Sequence, residues 1–134
     1  MAFLSVNAQQ TYKREIIWED IKAIPLTEEK QLHYLYFRDA IIHDNDNYLP
    51  EFYEQFRIAS ENMKVHASLR NMVFEELIND KNIPIEDIDN VEQEIIIKTN
   101  IAVARKVPFA CISFVPLRKN LSTGKIEKLS KKVI

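Results

Sequence analysis

Cys111 is the chain's only cysteine and lies in the apolar run Phe109-Ala110-Cys111-Ile112. A catalytic thiol needs a base or a positive field beside it, and access to solvent. Its neighbours in sequence offer neither, and free cysteine is among the most buried residue types. Cys111 therefore reads as an inert strand residue. The histidines are His33, His43 and His66, and their spacing fits neither H-x₃₋₅-H nor HExxH. His33 and His66 fall at polar positions of alternating segments, which suits a solvated face. Asp44-x-Asp46 imitates the start of a calcium loop, but Tyr48 follows at the third ligand position and Gln55 replaces the bidentate glutamate. Asp87-x-Asp89 fails in the same way, with Lys98 in the last position.

With Gly124 as the only glycine, a G-x-S-x-G elbow, a Walker loop and a Rossmann fingerprint are all excluded. Ser122-Thr123-Gly124-Lys125 lacks the glycine-rich lead-in of a phosphate loop. Aromatic residues at 34–37, 48–56 and 109–114 could stack on a ligand, but at strand spacing they more often build a core. The residues thus name no catalytic, cofactor-binding or metal site, and the chain is read as not an enzyme. A third reading is a small cytosolic enzyme that pairs Cys111 with a histidine.

The elements that carry these residues are mostly strands. Tyr12, Arg14, Ile16 and Trp18 alternate with Lys13, Glu15, Ile17 and Glu19, a period of two. Residues 32–37 alternate in the same way and are rich in aromatics. The Asx-rich His43–Asn47 segment reads as a loop. Leu49-Pro50 keeps the next segment from starting as a helix interior, and 51–59 is ambiguous. Residues 62–77 fit a half-buried strand through Val65, Ala67 and Leu69. They also fit a helix through Val65, Leu69, Met72, Val73 and Leu77. Residues 79–90 form an acidic loop. Two β-branched strands are expected at 91–105 and 109–115, punctuated by Pro108 and Pro116. The second is apolar enough to be buried on both faces. Residues 121–125 form a turn with Gly124 at positive φ, and a last strand begins at "KIEKL".

At 134 residues, with 46% apolar and 28% charged residues, the chain suits one domain with its own core. No stretch approaches the ~20 apolar residues of a membrane span. A net charge of −2 argues against general nucleic-acid binding. The charge is uneven. Residues 75–94 hold eight acids and one lysine, and 117–134 hold six basic residues and one glutamate. Both read as solvated faces. At the N-terminus, a short apolar piece followed by Val6-Asn7-Ala8 approximates a signal-peptidase site, and a frayed terminus is the other reading.

Several segments, in order, resemble one family. "PFACISFVPLRKNLSTGKIEKL" (108–129) is similar to a segment in the N-terminal region of type IX secretion system sortases of Bacteroidota. These are gingipain-type cysteine peptidases whose leading domain is related to gingipain propeptides. "FRDAIIHDNDNYLPEFYEQF" (37–56), "VHASLRNMVFEEL" (65–77) and "NAQQ" (7–10) resemble other parts of the same region. The resemblance implies an all-β, mostly antiparallel, β-sandwich-like domain over 9–134, with 62–77 as strand. It implies that residues 1–8 are the remnant of a secretory signal peptide. It also implies export to the periplasm, outer membrane or cell surface. The expected partner is a downstream peptidase domain of the same parent protein, or another secretion-system component. The catalytic dyad of such sortases lies in that downstream domain, and Cys111 matches none of its positions. The alternative is a free-standing, small secreted or periplasmic β-rich binding module.

Overall fold

The computed structural model describes residues 2–6, 10–43, 47–62, 64–70, 72–79 and 82–129. The described residues form β1 (Ala2–Val6), β2 (Gln10–Arg14), β3 (Lys22–Pro25), β4 (Gln31–Tyr34), β5 (Ile41–His43) and β6 (Asn47–Arg57). They continue through β7 (Ala67–Arg70), β8 (Phe74–Glu76), a 3₁₀ turn at Ile88–Asn90, β9 (Lys98–Ala104), β10 (Val107–Phe114), β11 (Leu117–Lys119) and β12 (Ile126–Leu129). The strands make antiparallel sheets with orders β2-β1-β7, β5-β6-β10-β9, β11-β12-β8 and β3-β4. The fold is all-β, as expected.

β10 is the centre of the molecule, paired on one side with β6 and on the other with β9. Ala110 and Ile112 are 0% exposed and the intervening Cys111 is 8% exposed, so the strand's middle is buried on both faces. Burying a side chain such as Ile112 contributes about 1.5–3 kcal/mol. Tyr12, Ala67 and Leu69, from the β2-β1-β7 sheet, pack on Phe56 and Ile112, which closes one side of the four-stranded sheet. Ile16, Phe37, Phe114 and Leu129 form an adjoining cluster. The Trp18 indole N–H donates to the Leu129 carbonyl at 2.7 Å and ties β12 to the N-terminal half. A third cluster of Leu35, Leu49, Val91 and Leu117 lies under the segment that joins the 3₁₀ turn to β9.

Several local expectations change. The ambiguous 51–59 stretch is the greater part of β6. Within 62–77 the described residues form the two strands β7 and β8 rather than a helix, and burial alternates from Val65 to Arg70. The expected strand at 91–105 begins only at Lys98. Its first half is held otherwise, with Val91 buried in the core and the Glu92 carbonyl accepting from the Lys119 N–H at 2.8 Å. Pro108 does not separate two strands but lies within β10. The Ile58 N–H donates to the Pro108 carbonyl at 3.2 Å, so Pro108 faces β6 at a rung just past the last β6 pair. A proline there costs one ladder bond and no more. Gly124 has φ of +71° in the 121–125 turn, as expected.

Candidate functional site

The groups with chemical potential lie apart in the fold. The Gln55 side-chain amide approaches Cys111 Sγ at 3.8 Å and donates to the Tyr53 hydroxyl at 2.9 Å. The adjacent Cys111 thiol holds the Tyr53 hydroxyl above the ordinary tyrosine range. These contacts describe a thiol held among neutral groups. They include no base to deprotonate it.

His43 sits across from Asn47 and lies 3.7 Å from Glu51, whereas Cys111 sits across from Gln55. At ~3.3 Å per residue, about 25 Å of β6 separates those two rungs. His33 lies on β4 across from Ala23, and its carbonyl accepts from the Glu86 N–H at 2.8 Å. His66 precedes β7.

The Asp44-x-Asp46 pair lies outside the described residues. Asp87 acts as a bracket. Its carboxylate accepts from the Tyr48 N–H at 2.8 Å and from the Asn90 amide at 3.3 Å. Among the described residues, no group of three or more His, Cys, Asp or Glu side chains could hold a metal ion. The aromatic residues are mostly spent on packing. Phe52 stacks on Phe114 with ring centroids 4.8 Å apart, and Tyr12 meets Phe56 at 4.4 Å. A cavity of about 170 Å³ opens beside Leu49, Val91 and Phe114, with Glu51, Glu92 and Lys98 at its rim. It is small against the 300–1,000 Å³ of a typical ligand pocket, whereas a more open cleft of about 500 Å³ beside Leu69, Phe74, Ile95 and Arg118 falls within that range.

The acidic and basic segments meet in the β11-β12-β8 sheet. Arg118 lies with its guanidinium carbon 3.6 Å from the Phe74 ring centroid and donates through Nε to Glu127 at 2.8 Å. Lys125 reaches Glu76 at 3.0 Å. The expected solvated faces thus also hold ion pairs, and Arg118 and Glu127 are direct cross-strand partners.

The feature that sequence reasoning missed is a sheet edge. Among the described residues, β9 pairs with β10 alone and ends the order β5-β6-β10-β9. The turn that aims it is Arg105-Lys106, with φ of 52° and 66°. Both residues in the left-handed region define a type I′ hairpin, which normally asks for Asn-Gly or Asp-Gly. The sequence carries no such signal. What it does carry is a neutral, proline-free and glycine-free stretch, Thr99–Ala104, between Lys98 and Arg105.

Comparison with protein families, with curated proteins and with solved structures finds no match to this chain. Among the described residues, no helix is long and apolar enough to cross a membrane.

Proposed function

We propose that the chain is the non-catalytic, propeptide-like N-terminal domain of a type IX secretion sortase. In this reading it is exported and packs against, or shields, the peptidase domain that follows. The whole enzyme would remove C-terminal sorting signals from secreted cargo. The observation that carries the reading is the position of the one thiol. Cys111 is locked into the central strand of an all-β domain with Gln55 and Tyr53 as its polar neighbours. A thiol so placed supports a role through surface contacts. The ordered motifs at 37–56, 65–77 and 108–129 supply the family.

The test is the reading frame downstream of Ile134 in the source genome. A gingipain-type peptidase in frame, or restored by one frameshift, is the expected result. The separately purified peptidase domain should then bind this domain. A stop codon followed by an unrelated gene would contradict the reading and leave the free-standing binding module in its place.

A further inference from the structure

We propose that the outer edge of β9 is a strand-addition site for an extended segment of a partner protein with a neutral, β-prone centre and acidic flanks. The inference goes beyond the docking reading above. It rests on the hairpin and its charges, whether or not a peptidase follows.

The register fixes which groups the edge offers. Ala104 faces Val107 across the two-residue turn. The carbonyl of the first turn residue and the N–H of the fourth are bonded in such a turn, so Ala104–Val107 is a hydrogen-bonded rung. Rungs alternate along an antiparallel pair. Val103–Pro108, Ile101–Ala110 and Thr99–Ile112 are therefore the non-bonded rungs. Pro108 supports this independently, because it has no N–H to give and its carbonyl is turned toward Ile58. The N–H and C=O groups of Thr99, Ile101 and Val103 thus point away from β10. Among the described residues, no other backbone group bonds to residues 98–104.

Natural edges are usually blunted by brevity, proline, a bulge or a charge on the strand. Thr99–Ala104 has none of these, and Val103 is 51% exposed. The charges sit at the two ends instead: Arg105 and Lys106 make one end basic, while Lys98 at the other shares a cavity rim with Glu51, Glu92 and Glu94. The basic Arg105-Lys106 end, reinforced by Lys98 on the strand itself, selects the occupant. Antiparallel pairing with a second copy about Ile101 would set Lys98 of each chain beside Arg105 and Lys106 of the other. Parallel pairing would align like charges directly. Both are penalised, whereas carboxylates at each end of an incoming strand are attracted. The backbone would supply affinity and the flanks the choice of partner.

The probe is a fluorescent synthetic peptide of alternating valine and threonine with two glutamates at each end. The full chain should bind it at low salt at least about tenfold more tightly than the same peptide with lysine ends. Added salt should erode the difference. Val103→Pro removes an outward N–H and should weaken binding at least about tenfold without lowering the thermal midpoint. Lys98→Glu with Lys106→Glu should reverse the preference toward the lysine-ended peptide, and this arm stands even if the proline variant folds poorly. The proposal is overturned if the glutamate-ended peptide shows no binding at about 1 mM. It is equally overturned if the charge reversal leaves the preference unchanged, if folded Val103→Pro binds as well as the parent, or if the parent is a dimer that Val103→Pro separates.

Discussion

The four-stranded sheet has two edges, and they are finished in opposite ways. The β5 edge is three residues long, and its register with β6 shifts between Ile41 and His43. The irregular stretch of β6 opposite it leaves no loose donor. The Tyr48 N–H goes to Asp87, the Leu49 N–H goes to the Asn47 side chain at 2.9 Å, and Pro50 has none. The β9 edge is seven residues long and regular, with Lys98 at its start as its one charge. Both edges belong to one sheet on one core, so stability alone does not explain the difference. Among the described residues the β5 side is short and irregular and the β9 side is open, which is the arrangement that strand addition at β9 requires.

Substitutions can break or sharpen that contrast, and the largest effect is one that ignores it. Ile112→Ala empties a fully buried site beneath both edges and should cost about 2–5 kcal/mol in denaturant unfolding, with the sheet lost as a unit. Within β9, two prolines one residue apart should separate. Ala102→Pro removes an N–H directed at β10 and should cost about 1–3 kcal/mol. Val103→Pro should stay within about 0.5 kcal/mol of the parent. Equal losses at the two positions would show that the register argument is wrong. On the closed side, Asp87→Ala orphans the Tyr48 N–H and should cost about 1–2 kcal/mol, read as faster amide exchange at Tyr48 and a lower thermal midpoint.

The smallest effect lies away from both edges. Glu127 is held below the ordinary glutamate range, first by the Arg118 hydrogen bond and further by Asn120. Its folded pKa is depressed. The stability it contributes is therefore present above the unfolded pKa and is lost as pH falls through the folded value. An NMR titration should show Glu127 protonating below the ordinary glutamate range. Arg118→Ala should move it back up without altering exchange in β9.

Much of the fold was legible because burial imposes a period on sequence. The alternation at 12–18 and 32–37 became strand as far as Arg14 and Tyr34 and supplied the core residues Ile16, Leu35 and Phe37 beyond. The doubly apolar run at 109–114 became strand, whereas the alternation at 65–70 fitted a helix as well and did not decide between the two. The Gly124 turn was legible because only glycine enters that φ region freely. The errors have physical causes. Residues 91–97 have strand composition, but their neighbours are provided by the 3₁₀ turn and β11, which no local pattern records. Pro108 looked like a boundary because the direction of its missing N–H depends on register. The candidate site was the least legible part. Arg105-Lys106 adopts positive φ without the residues that announce it. A free edge, moreover, is defined by an absent neighbour, which composition cannot express.

Residue-resolved amide hydrogen exchange on the native full chain tests the open edge most directly. The account predicts alternation along β9, with Asn100, Ala102 and Ala104 protected by β10. Thr99, Ile101 and Val103 should exchange orders of magnitude faster. Uniform protection across Thr99–Ala104 would mean that something already pairs with this edge, and would contradict the account.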